Sequence, residues 1–300
     1  MARRKIIQWL AALGCNAYVP GFSRGGIYKG GLKAICVPGL NCYSCPGAVA
    51  SCPLGALQAV IGASRYSFSY YAAGLLLAFG LIFGRVICGF LCPFGLLQEL
   101  LRKIPFFRPG NGALAPSRRF AGFAKFARLF KYLKYILLVV FVLALPFLTK
   151  GDTGVGQPAF CKYICPAGTL EAGVPLLAAN APMRETLGWL FTLKASIALF
   201  TVIGCVITYR FFCKFLCPLG AFYGLFNRIA LYQIHLDKDR CVRCGRCAQI
   251  CQMAVDPSLD PNCAECVRCG DCVKTCPTSA LSAGFRGKDA GCAKNAISQL

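Results

Sequence analysis

Cysteine spacing constrains this chain more than any other feature. Twenty-two of 300 residues are cysteine, and most fall at C-x2-C or C-x3-C-P intervals, the spacing of ligands rather than of a disulfide scaffold. Towards the C-terminus, Cys241-x2-Cys244-x2-Cys247-x3-Cys251 and Cys266-x2-Cys269-x2-Cys272-x3-Cys276-Pro277 are two ferredoxin-type runs. In such runs three close thiolates wrap one [4Fe–4S] cube and the fourth reaches the other. The expected ligand sets are Cys241, Cys244 and Cys247 with Cys276, and Cys266, Cys269 and Cys272 with Cys251. The competing metal is zinc, whose structural sites favour paired C-x2-C knuckles over a tandem triplet. Gln252 stands where the first run would carry proline, a change that removes no ligand, and Cys263 is a surplus neighbouring thiol. With one histidine, His235, and no C-x-x-C-H, neither a bis-histidine nor a c-type haem can be built. His235 itself reads as structural.

Composition places most of the chain in a membrane. Apolar residues make up 57% and charged residues 15%, against roughly a quarter charged in soluble domains. Thirty-three Lys and Arg against eleven acids give a formal charge of +22. These charges flank apolar runs, which favours basic cytoplasmic loops over nucleic-acid binding. Stretches at about 6–20, 66–84, 135–149 and 187–209 read as four spans. Residues 102–134 hold nine basic residues and no acid, the mark of a cytoplasmic loop. The N-terminus and everything after Arg210 then face the cytoplasm, while 21–65 and 150–186 face outwards. From about residue 231 the chain turns polar and cysteine-rich, a segment too small to fold on its apolar core alone. The expected division is a membrane domain over 1–230 and a ferredoxin-like domain over 231–300.

An internal repeat is visible. GRVICGFLCPFGLLQELLRKI (84–104) and YRFFCKFLCPLGAFYGLFNRI (209–229) share R-x2-C-x-F-L-C-P-x-G, and each follows a cysteine segment, 41–57 or 160–171, and an apolar stretch. This predicts two tandem two-span units related by an axis along the membrane normal. At i and i+4 on one helix, Cys88 with Cys92 and Cys213 with Cys217 would aim their sulfurs one way, with proline ending the helix. Together they supply four thiolates for a cluster beside the tail. On the outer side Cys36, Cys42, Cys45 and Cys52 face Cys161 and Cys165, six candidates for four places. The expected set is Cys42, Cys45, Cys161 and Cys165, with Cys36 and Cys52 as alternates. The competing reading makes these cysteines thiols or disulfides that pack helix ends. Cys15 and Cys205 read as small buried hydrophobes, and Cys292 has no partner. No carboxylate falls within a span, so no proton pump is expected. Glu99 and Glu171, following C-P-x-G turns, are candidate acceptors of a quinol proton.

With the motifs CGFLCPFG from Cys88, CKFLCPLG from Cys213 and the double ferredoxin tail, the chain resembles the polytopic membrane ferredoxins of the NapH and NosR type, related to CcoG-type membrane iron–sulfur proteins. The resemblance covers most of residues 36–280. It implies an α-helical membrane protein of about four spans with a C-terminal small α+β, bacterial 2[4Fe–4S] ferredoxin-like domain. It also implies electron exchange between a quinone pool, or an outer-face flavoprotein, and a redox partner. The eight tail cysteines and Cys88, Cys92, Cys213 and Cys217 match the pattern. The S-G-A-T flavin-attachment pattern is absent, so no covalent flavin is expected.

The expected function is a membrane-bound relay of single electrons, a subunit of an oxidoreductase system rather than a stand-alone enzyme. It would carry two [4Fe–4S] clusters in the tail and one or two further iron–sulfur clusters in the membrane domain. It would connect a soluble ferredoxin or flavodoxin-like carrier, or a flavoprotein or oxidoreductase subunit, with quinone or an extracytoplasmic partner. The expected location is a prokaryotic cytoplasmic membrane, where the basic inner face would steer acidic carriers. Two competing functions are a metal-handling factor for metalloenzyme maturation, against which three methionines and one histidine count, and a cluster-based redox sensor.

Overall fold

A computed structural model describes residues 2–63, 69–104, 129–149, 156–185 and 187–286. The described helices are, in chain order, α1 (Ala2–Cys15), α2 (Pro20–Arg24), α3 (Pro53–Gly62), α4 (Tyr70–Phe83), α5 (Val86–Phe90), α6 (Pro93–Leu101), α7 (Leu133–Leu148), α8 (Ala159–Tyr163), α9 (Gly168–Ala179), α10 (Ala181–Glu185), α11 (Trp189–Ile207), α12 (Phe211–Phe215), α13 (Pro218–Phe226), α14 (Arg246–Ile250) and α15 (Asp271–Thr275). Two strands, β1 (Tyr232–Leu236) and β2 (Leu281–Phe285), pair antiparallel with Tyr232 opposite Phe285.

Proline dictates the local architecture. The residue before a proline is driven towards extended backbone, whereas proline itself suits the first turn of a helix. Each of three Cys-Pro steps is therefore a corner: Cys52, Cys92 and Cys217 are extended, with ψ of 126°, 114° and 110°, and they cap α3, α6 and α13. Cys88 and Cys213 lie in the five-residue helices α5 and α12. The expectation that both cysteines of a C-x3-C-P pair ride one helix is corrected here. Proline ends that helix before the second cysteine rather than after it.

Among the described helices only α11, 19 residues long, is both long and apolar enough to cross a membrane. At 1.5 Å per residue it covers about 28 Å, against a hydrocarbon core of about 30 Å. The other expected spans are shorter. α1 and α4 have 14 residues each, and α4 ends at Gly84, whose φ of 56° is one that favours glycine. α7 contains a π-helical stretch over Leu138–Ala144. Most of the basic loop used for orientation, together with Cys292, lies outside the described residues.

α6 and α13 stand at the centre. α1 and α11 pack on α6, while α4 and α7 pack on α13, and α3 closes against α4 and α7. The core contains Leu76, Ile87, Leu137, Val142, Phe160 and Leu219, with Phe94 edge-on to Phe212 at 5.2 Å. The tail folds the same way twice. Arg243 and Arg268, Gly245 and Gly270, and Ala254 and Ser279 occupy matching places in the two cysteine runs, and all have positive φ.

Asn227 fastens the tail to the helices. Its side-chain oxygen accepts the Arg85 N–H at 2.9 Å, and its amide donates to the Cys263 and Cys266 carbonyls at 2.9 and 2.8 Å. Arg268 donates to the carbonyls of Phe83, at 3.1 Å, and Asn227. Close approach also requires glycine: a Cβ on Gly89 would meet the Val267 carbonyl oxygen at 2.8 Å. Asn227→Ala would strand these buried groups at about 1–3 kcal/mol for each one left unsatisfied. Its expected signature is faster hydrogen exchange over residues 263–268 and a lowered melting temperature, with the β1–β2 ladder unchanged.

Candidate iron–sulfur centres

The tail brings together the two cysteine sets that the spacing anticipates. Cys241, Cys244, Cys247 and Cys276 line one recess, with Arg243, Gly245 and Pro277. Cys251, Cys266, Cys269 and Cys272 line a second, with Met253, Val255 and Val267. Burial opposes ionisation of Cys276, but N–H groups of Leu281 and Ala280 and the Thr278 hydroxyl outweigh it and hold the thiol below its ordinary pKa. In the second recess burial dominates and pushes Cys266 and Cys272 up to about 12.

The inner four cysteines, Cys88, Cys92, Cys213 and Cys217, are all buried, and the elements that bear them are tied by two crossed arginines. Arg85 donates to the Cys213 carbonyl at 2.9 Å, and Arg210 donates to the Cys88 carbonyl. Each guanidinium has a carboxylate counter-charge. Arg85 pairs with Glu265 of the tail at 3.0 Å, and Lys134 joins the same carboxylate. Arg210 pairs with Glu99 at 2.6 Å. Sulfur acceptors are served in the same duplicated manner, since the N–H groups of Gly95 and Gly220 lie 3.4 and 3.3 Å from Cys92 and Cys217 Sγ. Gln98 adds a third donor, its Nε2 lying 3.1 Å from Cys213 Sγ while its oxygen accepts the Phe212 N–H at 3.1 Å.

Every described cysteine is a free thiol, and among the described residues no three His, Cys, Asp or Glu converge on one metal position. A cube seats its four thiolates on four separate irons, farther apart than the ligands of one ion. N–H groups aimed at sulfur are the contacts that tune such a group.

The outer cysteines divide. Cys42, Cys52, Cys161 and Cys165 approach one another, and Cys165 lies in coulombic range of the other three. The anticipated fourth member, Cys45, sits beside the Gly47 and Ala48 N–H groups, within range of Glu171 and Lys33. Cys36 pairs through its backbone with Ser51.

Glu99, the first of the two candidate proton acceptors, lies among cations. Burial opposes its charge, but Arg210, Lys5, Tyr209 and Arg4 surround it and hold its carboxyl down to about 2. Glu171, half-buried and accepting the Cys42 N–H at 2.9 Å, is pushed up to about 7 by desolvation. The crossed arginines and Gln98 escaped the sequence reading. Their signal was present, because Arg stands three residues before the first cysteine in both repeats and Gln follows C-P-x-G by three residues.

Comparison with known proteins also points to iron–sulfur binding. Residues 67–111, 135–176 and 189–238 each match a model described as a 4Fe-4S binding domain, and residues 234–255 match a second model so described. The chain is 33% identical to Protein NirI of Paracoccus denitrificans over 62% of its own length and 24% of that protein. It is 26% identical to the methylamine utilization ferredoxin-type protein MauN of the same organism, over 65% of this chain and 55% of MauN. It is 29% identical to the uncharacterized protein MJ0749 of Methanocaldococcus jannaschii, over 60% of this chain and 56% of that one. The chain thus spans about half the length of MauN and MJ0749 and a quarter of NirI. No solved structure matches. These matches support an iron–sulfur electron-transfer function.

The Glu99 ion pairs make a prediction with a definite sign. A carboxylate with a depressed pKa contributes stability that is complete above its unfolded value of about 4.3 and is lost as pH falls towards about 2. Titration from pH 8 to pH 5 should therefore leave this contribution unchanged. Glu99→Gln leaves the buried Arg210 without its counter-charge and should lower stability by about 3–5 kcal/mol, read as a shift in the denaturant midpoint.

Proposed function

We propose that the chain is a membrane-bound iron–sulfur relay, in which electrons pass between the two-cluster tail and a third cluster held by Cys88, Cys92, Cys213 and Cys217. The observation that carries this reading is the seat of the tail on the inner site. The Val267 carbonyl lies against Gly89, one residue from Cys88, and Arg85 joins the Cys213 carbonyl to the Ala264 carbonyl and the Glu265 carboxylate of the tail. Cys266, one of the second tail set, presents its carbonyl to Asn227, which also holds Arg85. In this reading one tail cluster sits over the inner site, and the recess around the exposed Cys244 serves a soluble partner.

Iron–sulfur clusters, when bound, supply reversible one-electron chemistry. The side chains hold their sulfurs, exclude water and set hydrogen bonds to them, and they break no substrate bond. A membrane setting is supported by the outward apolar faces of several helices. Ile6, Leu10 and Leu13 on α1, Ile136, Val139 and Phe147 on α7, and Leu199, Phe200 and Ile203 on α11 are all exposed, and exposed apolar helix faces are the kind of surface that meets a membrane or a partner. The tail and N-terminus face the cytoplasm in this reading. The soluble partner is an acidic ferredoxin- or flavodoxin-like carrier, and the other terminus of the relay is quinone or an extracytoplasmic redox protein, as the resemblance to the NapH and NosR type implies.

Cys213→Ser tests the reading in protein purified anaerobically in detergent. The variant should lose about four irons per chain and keep the EPR signals of about eight in the tail. A soluble ferredoxin should still reduce the tail, whereas reduction of a membrane-side acceptor should stop. Unchanged iron with unchanged transfer would contradict the proposal.

A further inference from the structure

The segment 36–58 lies outside every region matched to an iron–sulfur model, yet its geometry repeats that of the inner site. Cys52-Pro53-Leu54-Gly55 begins α3 as Cys92-Pro93-Phe94-Gly95 begins α6, and a glutamine follows three residues after each glycine. Gln98 accepts the Phe212 N–H and donates to Cys213 Sγ. Gln58 does the same on the opposite segment, accepting the Phe160 N–H at 2.9 Å and donating to Cys161 Sγ at 3.3 Å. α3 thus stands to Cys161 and Cys165 as α6 stands to Cys213 and Cys217. Three of the four places of the inner site have counterparts here.

The fourth place would fall four residues before Cys52, as Cys88 falls four before Cys92, but residue 48 is alanine. Cys42 arrives there from the loop. Glu171, three residues after the glycine of Cys165-Pro166-Ala167-Gly168, accepts the Cys42 N–H at 2.9 Å, the same grip that Gln58 places on Phe160. The arrangement is reciprocal: a Cβ on Gly55 would lie 3.8 Å from Cys161 Sγ, and one on Gly168 would lie 3.8 Å from Cys42 Sγ. Each C-P-x-G glycine faces the opposing sulfur. A separate observation points to a missing group. Asn41, next to Cys42, is fully buried, and neither its side-chain oxygen nor its nitrogen has a partner, a state that costs about 1–3 kcal/mol per group unless a ligand satisfies it.

We propose that Cys42, Cys52, Cys161 and Cys165 hold a fourth iron–sulfur cluster, with the loop and α3 supplying two ligands and the Cys161–Cys165 motif the other two. Cys45 and Cys36 are not ligands. The proposal deepens the relay reading and rests on it, because the assignment is made by likeness to the inner site. The two sites share a wall. Tyr223, fully buried, donates to the Pro38 carbonyl at 2.9 Å, and the Leu40 carbonyl lies 3.9 Å from Cys92 Sγ. In this proposal an electron leaving the inner cluster crosses this wall, and the fourth cluster is its outlet to a partner on the face away from the tail.

The test is iron and acid-labile sulfide per chain in the full-length protein, purified anaerobically in detergent, with EPR of the reduced form. Wild type should hold about sixteen irons, Cys52→Ser and Cys42→Ser about twelve, and Cys45→Ser and Cys36→Ser about sixteen. Persistence of the tail and inner signals in Cys52→Ser shows that the variant has folded. Should those signals vanish as well, Cys42→Ser, which alters a loop, decides on the same reading. About twelve irons in wild type, or zinc or copper in place of four irons, would overturn the fourth cluster, and loss from Cys45→Ser with none from Cys52→Ser would overturn its ligand set; each leaves the relay standing. About eight irons in wild type would instead remove the inner cluster, and with it the relay reading itself.

Discussion

The crossed arginines are the interaction on which the rest of the structure depends. Two buried guanidinium groups, each donating to a carbonyl of the opposite motif, hold the two C-x3-C-P units face to face. Buried charge is costly unless it is paired and hydrogen-bonded, and the pairing recruits the rest of the chain. Glu99 brings α1 to Arg210 through Arg4 and Lys5, while Glu265 brings the tail and α7 to Arg85. One duplicated residue thereby anchors the N-terminal helix on one side and the ferredoxin-like tail on the other.

The duplication matters most where it is broken. Gly89 of the first motif aligns with Lys214 of the second, and only the glycine allows a backbone carbonyl of the tail to lie against the helix. Gln98 aligns with Tyr223. The glutamine reaches an opposing sulfur, whereas the tyrosine turns towards the 38–40 loop. Each departure admits a different neighbour, the tail at one end of the inner site and the cysteine loop at the other. A symmetric pair of motifs becomes directional through two residues.

The eight tail cysteines and their division into two sets were legible in the sequence, because a ligand run so short leaves the chain few ways to wrap a cube. The Cys-Pro corner was half legible. Proline announced the break but not that Cys92 and Cys217 would fall on its extended side. Span lengths were less legible: hydropathy reads 66–84 as one apolar run, and its end at Gly84 is where α4 stops, but α4 itself begins only at Tyr70. The expectation of Cys45 followed from intervals within one loop, whereas the proposed set takes Cys52 instead. The elements on which that proposal rests, α8 and α9, are about a hundred residues away, and Gln58 and Glu171 make the link.

The central claim is that electrons leave the tail through the inner site, and vectorial transfer tests it most directly. The protein would be placed in sealed vesicles with ferricyanide trapped inside, and a reduced soluble ferredoxin added outside would reach only the outward-facing tails. The account predicts that the trapped ferricyanide is reduced at a rate proportional to the protein present. Full reduction of the tail clusters while the trapped acceptor stays oxidised would contradict it.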